Sequence, residues 1–254
     1  MQIGCKKRQP ASVNEIRNYV ASVANYFQAR LVDSLVEVYE LGSLAHGGFS
    51  QIYSDIDVGL ILNCSDPPDE MDRLISTAKG LDGAYGNRLS IFWGNPERDW
   101  GRLPVLDRLD LLDHGVPLLH DRKALFRRPA KETIHRVLLD SVEKSWRSKT
   151  AELCQLSDLQ PTDRKPYVRC LLYAARLIYT WDRLEINSND RAVEYLRRVK
   201  PRGLNLHPIE RALECRHNNC RPEEIFAENI DLNDQLEKTI RYISNYSRPT
   251  EVDS

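Results

Sequence analysis

A chain of 254 residues with 41% hydrophobic side chains can bury the core of one large domain or two small ones. Lysine plus arginine (36) nearly balances aspartate plus glutamate (37), which argues against a long nucleic-acid duplex as partner, because a phosphate backbone selects a basic footprint. No stretch approaches the roughly 18 apolar residues of a membrane span, and Met1–Pro10 is basic and polar with no apolar run behind it, so no signal peptide is expected and a cytoplasmic location is the default.

The spacing of Ile16, Val20, Val23, Ala24, Phe27 and Leu31 predicts a helix over residues 12–33. Ser12 with Glu15 three residues later forms a capping-box pattern at its start. Leu35–Leu41, with β-branched Val36 and Val38, reads as a strand that Gly42-Ser43 ends. A short helical stretch follows until Gly47-Gly48 breaks it. Ser54–Leu62 reads as a second strand, Glu70–Lys79 as a helix and Arg88–Trp93 as a third strand. Pro104–His120 holds a short helix and a return strand near Val116–Leu119.

Past residue 129 the texture changes. Lys131–Cys154, Pro166–Leu184, Asp190–Val199, Pro208–Cys215 and Asn233–Tyr246 all carry helical periodicity, and strand-like runs disappear. This shift from α/β to all-α places a boundary near residues 122–130, dividing the chain into 1–125 and 126–254. Ser247–Ser254 reads as a frayed tail. The six cysteines, Cys5, Cys64, Cys154, Cys170, Cys215 and Cys220, are scattered and read as reduced, mostly buried thiols.

The segment that carries chemistry runs from Gly42 to Asp57. Gly42-Ser43 follows a strand and opens a helical stretch, where exposed backbone N–H groups favour an anion and a glycine lets a phosphate come close. Asp55 and Asp57 are two apart on an apparent strand, so the period of two points both carboxylates to one face. Ile56, Val58, Leu60 and Leu62 hold the opposite face. Adjacent carboxylates repel unless a cation compensates or one is protonated. A hard divalent ion does this through oxygen, and Mg²⁺ prefers one or two carboxylates plus substrate phosphates. Alone, Asp-x-Asp reads as an exposed edge; the Gly-Ser twelve residues before Asp55 reverses that reading.

This pattern of Gly-Ser, a short helix, then Asp-x-Asp resembles the signature of the DNA polymerase β-like nucleotidyltransferase superfamily. Within it the chain resembles the streptomycin/spectinomycin (aminoglycoside) adenylyltransferases. Leu172–Thr180, with Arg176-x-x-Tyr179-Thr180, and Ser188-Asn189-Asp190-x-Ala192 are similar to that branch's helical domain. The resemblance spans roughly residues 35–200. It implies an α+β fold, a small mixed-sheet nucleotidyltransferase domain followed by an all-α helical bundle. It further implies that Gly42 and Ser43 hold nucleotide phosphates, with Ser54 beside them, and that Asp55 and Asp57 are the catalytic Mg²⁺ ligands. Two positions depart from the pattern. The family's third carboxylate falls at or next to Ser90, which is neither a base nor a good ligand, so Glu97, Asp107 or Asp110 substitutes, the acceptor needs no base, or the chemistry is impaired. Asn189 stands where a lysine usually reaches the triphosphate, and Arg191 or Arg197 is expected to compensate.

Other features are ambiguous at this level. Residues 196–221 carry seven Arg/Lys against Glu210 and Glu214, either a phosphate- or RNA-facing patch or a solvated face. Cys215-x-His217-x-x-Cys220 offers three ligands where structural zinc wants four, so it reads as a helix end. His46 either contacts phosphate or faces solvent, and Trp100, in a polar loop, is the aromatic expected to line a cleft. The expected activity is Mg²⁺-dependent transfer of AMP from ATP to a hydroxyl of a small molecule, with an aminoglycoside-type antibiotic as the leading acceptor. The alternatives are an antitoxin-like enzyme that AMPylates a protein, with Arg211–His217 hinting at a nuclease-type partner motif, and a nucleotide-binding module without turnover.

Overall fold

A computed structural model describes residues 12–66, 68–97, 101–121 and 126–246. The basic N-terminus, Trp100 and the expected frayed tail lie outside the described residues.

Helix α1 (Val13–Arg30) starts at the anticipated capping box: Ser12 Oγ accepts the Glu15 N–H at 3.2 Å, and Glu15 Oε2 accepts the Ser12 N–H at 2.6 Å. Its Ile16, Val20, Val23, Ala24 and Phe27 are buried against the sheet. That sheet has five strands in the order β4-β3-β2-β1-β5, namely Gly101–Arg102, Leu89–Gly94, Ile56–Leu62, Leu35–Leu41 and Val116–Pro117. β2 pairs with β1 antiparallel and with β3 parallel, so the sheet is mixed. Between β1 and β2 lies the single turn α2 (Gly42–Ala45), and α3 (Met71–Lys79) and α4 (Val105–His114) flank the sheet.

The pleat of β2 sorts its side chains as the alternation requires. Ile56, Val58, Leu60 and Leu62 join α1 and α3 in one core, whereas Ile61 joins Tyr39, Leu41 and Leu111 on the other face. Asp57 falls on this second face, at the edge of the strand where apolar cover gives out. The strand begins at Ile56 rather than Ser54, so Asp55 is the last residue of the incoming loop. The return strand is also shorter than expected. The N–H groups of Leu119 and His120 turn to the buried Glu37 carboxylate, at 2.9 and 2.8 Å, instead of continuing the ladder.

After α4 the chain is helical: α5 (Lys131–Ser141), α6 (Arg147–Cys154), α7 (Arg164–Arg183), α8 (Asn189–Val199), α9 (His207–Asn218), α10 (Glu223–Ala227) and α11 (Leu232–Tyr246). Periodicity over Lys131–Cys154 suggests one helix; the structure widens its middle into a π turn, Val142–Trp146, between α5 and α6. The short α10 carries too few residues for a periodic signal and was not anticipated. α7 is the hub of this half. Its Tyr167, Val168, Leu171, Leu172, Ala175 and Ile178 are buried in a core that also takes in Tyr53 and Leu109 from the sheet half.

Candidate active site

The site is assembled at the junction of β1, α2 and β2. Gly42 has a φ of +61°, and a Cβ on it would lie 2.4 Å from Asp57 Oδ2. Only glycine tolerates both the left-handed backbone and that approach. The Gly42 N–H donates to Asp110 Oδ2 at 2.7 Å, tying the turn to α4. Ser43 Oγ donates to Ser54 Oγ at 2.9 Å. Ser54 Oγ also accepts the Ser50 N–H at 2.9 Å and Arg216 Nη2 at 3.0 Å. The Ser54 hydroxyl is therefore engaged in holding the loop.

These groups line one cleft of about 370 Å³. Gly42, Ser43, Asp55, Asp57, Ser90, Asp107 and Asp110 form its sheet-side wall, and Arg169, Arg176, Asn187, Asn189 and Arg216 come from the helical half. Asp57 and Ser90 are direct partners in the parallel β2–β3 register. Asp55 and Asp57 thus share the cleft with the Gly-Ser turn, as the spacing anticipates.

Four carboxylates in one cleft repel one another, and burial sharpens the repulsion. Burial, followed by the charges of Asp55, Asp107 and Asp110, pushes the Asp57 carboxyl up to about 7, with Arg169 pulling the other way. Burial and then Asp110 push Asp107 up to about 6, opposed by Arg176. Asp110 Oδ1 is buried with no hydrogen-bond partner. Opposite them, Lys165 Nζ lies 2.5 Å from Asp55 Oδ1. Among the described residues, Arg169 and Arg176 make no hydrogen bond or ion pair, and both guanidiniums remain open to solvent within the cleft. Burial, then Arg169, lowers the Arg176 pKa from its ordinary value. Solvent in the cleft still reaches the group, so it keeps its charge. Burial likewise lowers His46, whose Nδ1 sits 3.1 Å from Gly47 O.

The donor set fits a hard divalent ion. Asp55 and Asp57 offer oxygen ligands facing a cleft in which the buried Asp110 Oδ1 has no hydrogen-bond partner. Among the described residues no group of three or more His, Cys, Asp or Glu side chains is placed to hold a metal ion by itself. Mg²⁺ needs only one or two carboxylates when substrate phosphates complete its shell.

Several expectations fall elsewhere. Arg191 does not reach the cleft: its N–H caps onto Ser188 Oγ at 3.3 Å and its side chain, 67% exposed, pairs with Glu194 at 3.0 Å. That is a correction. A residue in the first turn of a helix whose N-cap faces the site can still project its side chain outward, and spacing alone does not show the direction. Arg197 pairs with Glu210 at 2.6 Å, and Glu97 is exposed beside Asn95. Arg211 pairs with Glu214 and Glu224, whereas His217 turns to Asp190 at 2.7 Å, so neither a nuclease pair nor a zinc set with Cys215 and Cys220 forms.

Sequence reasoning missed Lys165, Arg169 and Arg216 as site residues. Arg169 and Arg176 are seven apart on α7, hence on one face within its apolar middle stretch, and that spacing was an available signal. Arg216 gave none. It is buried and forks onto Gly48 O at 3.2 Å, Tyr53 O at 3.4 Å and Ser54 Oγ. Burial and the neighbouring Arg176 lower its pKa to about 10.

No family model matches the chain, and no curated protein matches it by sequence. Among solved structures it is similar to the spectinomycin adenyltransferase AAD(9) from Enterococcus faecialis, determined with ATP and spectinomycin. The TM-score is 0.63 over 90% of this chain and 100% of that one, at 15% sequence identity. At this identity the likeness establishes a shared fold: a mixed sheet followed by helices.

Proposed function

We propose that this chain is a Mg²⁺-dependent nucleotidyltransferase that moves AMP from ATP to a hydroxyl of a small molecule, working between a sheet unit (1–125) and a helical unit (126–254). The observation that carries the reading is the Gly42–Asp57 contact. A phosphate-cradling turn and the Asp57 carboxylate are packed so closely that a single methyl group would not fit between them.

In this reading Asp55 and Asp57 hold Mg²⁺, which when bound neutralises the triphosphate and stabilises the departing pyrophosphate. The Gly42–Ser43 turn faces the terminal phosphates, and Arg169 and Arg176 neutralise them from the opposite wall. The acceptor oxygen attacks the α-phosphorus, the bond to pyrophosphate breaks, and AMP remains as an ester on the acceptor. The hydroxyl proton passes to Asp107, which replaces the carboxylate missing at Ser90. Asp110 is less suited, because one of its oxygens holds the Gly42 N–H. A raised pKa makes Asp107 a better proton acceptor than an ordinary aspartate while leaving it ionised at neutral pH. A cleft of about 370 Å³ suits a small molecule better than a folded protein.

The test is incubation with ATP, Mg²⁺ and a panel of hydroxyl compounds that includes spectinomycin and streptomycin, read by mass spectrometry. The expected result is a product one AMP heavier, lost in Asp55→Asn and Asp57→Asn variants that keep their circular dichroism. Transfer retained in both variants overturns the assignment. ATP binding without transfer to any acceptor supports the non-catalytic module instead.

A further inference from the structure

Beside the carboxylates lies a second pocket of about 290 Å³, lined by Ser145, Trp146, Lys149, Lys165, Pro166 and Arg169. It adjoins the first cleft: Arg169 lines both, and Lys165 reaches from this pocket to Asp55. Three of its six lining residues are cations and none is a carboxylate. Lys149 is paired only at the exposed rim, with Glu152 at 3.1 Å. Arg169 makes no hydrogen bond or ion pair among the described residues. The Trp146 ring is clamped from behind by Tyr173, with ring centroids 3.7 Å apart and planes 26° from parallel. The π turn ending at Trp146 brings this ring and Lys149, one turn further on, to the same mouth. A fixed aromatic plane among guanidinium and ammonium groups fits a flat ring bearing negative charge. It opposes a polycation, which would meet the unpaired Arg169 and two ammoniums whose carboxylate partners, Asp55 and Glu152, lie outside the lining.

We propose that this pocket is the acceptor site, and that it selects a hydroxyl compound carrying a flat ring and one anionic group, carboxylate or phosphate, rather than an aminoglycoside. The word acceptor rests on the transfer reading above; the charge selectivity does not. The experiment uses the full chain saturated with Mg²⁺ and a nucleotide analogue that cannot be cleaved between the α- and β-phosphates. Four probes of one shape are titrated by ligand-observed NMR: 4-(hydroxymethyl)benzoate, 4-(hydroxymethyl)phenyl phosphate, the neutral 4-(hydroxymethyl)benzamide and the cationic 4-(hydroxymethyl)benzylamine. The expected result is at least about tenfold tighter binding of the two anions than of the amine. Lys149→Glu should narrow or invert that ratio, and Trp146→Ala should weaken all four. The relative strength of carboxylate and phosphate separates the two sources of negative charge.

Equal binding of anion and cation overturns the proposal, as does tighter binding of the amine or of spectinomycin. So does absence of any binding up to roughly 10 mM, the weakest affinity expected of fragments this size. Probes that bind the nucleotide-free chain but not the saturated one assign the pocket to the nucleotide, which also overturns it. Nucleotide binding is measured separately. Its absence removes the transferase reading while leaving the charge selectivity standing or falling on its own.

Discussion

Replacing Gly42 by alanine isolates the packing on which the catalytic reading depends. Two costs arise. The first is conformational: at a φ of +61° an alanine in the left-handed region costs about 1–2 kcal/mol. The second is steric. The new Cβ would lie 2.4 Å from Asp57 Oδ2, where ordinary contact begins near 3.4 Å, so the carboxylate must retreat by about 1 Å. A displacement of that size in a catalytic group costs about 100-fold in rate, or about 2.7 kcal/mol of activation free energy. Gly47→Ala is the matched control. Its φ is +90°, yet nothing lies within 4 Å of the added Cβ, so it carries a conformational cost alone. Both variants should lose stability in urea denaturation, Gly42→Ala by roughly 2–4 kcal/mol once crowding is added. Only Gly42→Ala should lose about two orders of magnitude in ATP-dependent transfer. Equal turnover of the two variants would refute the claim that the Gly42–Asp57 contact positions the reacting groups.

Three further outcomes are expected. Asp107→Asn should lower kcat by about 10²–10⁴-fold with little change in the KM for ATP if it takes the proton, and steady-state kinetics that show an unchanged kcat remove it from that role. In metal-free protein the folded state keeps the Asp57 and Asp107 protons to about pH 7 and 6, whereas the unfolded chain releases them near 3.8. Their contribution to stability is therefore full below about pH 4 and is lost as pH rises to about 7. The Tm difference between wild type and Asp57→Asn in EDTA should fall across that window, and a rising difference contradicts the assignment. Arg216→Met should cost about 2–4 kcal/mol in chemical denaturation, because it strips donors from Gly48 O, Tyr53 O and Ser54 Oγ in a buried setting. A loss below 1 kcal/mol would show that the loop satisfies itself.

What the sequence reveals and what it hides divide along the range of the interactions. The capping box of α1, the bounds of β1 and the two-faced pattern of β2 depend on neighbours within a few residues, so they can be read directly. The Gly42-Ser43 turn and the Asp pair are also local, and their meeting in one cleft follows from the hairpin-like return of β2 beside β1. Asp107 and Asp110 were among the candidates to replace the missing carboxylate, but only the packing of α4 on the turn separates them from Glu97. Lys165, Arg169 and Arg216 lie more than 100 residues along the chain from Asp55 and Asp57. Apart from the seven-residue spacing of Arg169 and Arg176, nothing in their own surroundings distinguishes them from solvated basic residues such as Arg191. The π turn at Val142–Trp146 is equally silent, because an extra residue in a helix alters the phase of the apolar stripe too little to see in a single chain.

The loop that delivers Asp55 is anchored by groups that do not belong to the sheet. Tyr53 is buried in the helical core and its hydroxyl donates to Cys220 O, Ser50 Oγ donates to Asn219 Oδ1, and Arg216 grips the backbone between them. A fragment ending at residue 121 would keep every residue of the Gly-Ser and Asp-x-Asp signature and still lose the support that aims it. Recombining this sheet with the helices of a distant relative should fail for the same reason, unless residues 48–54 travel with the helices that hold them.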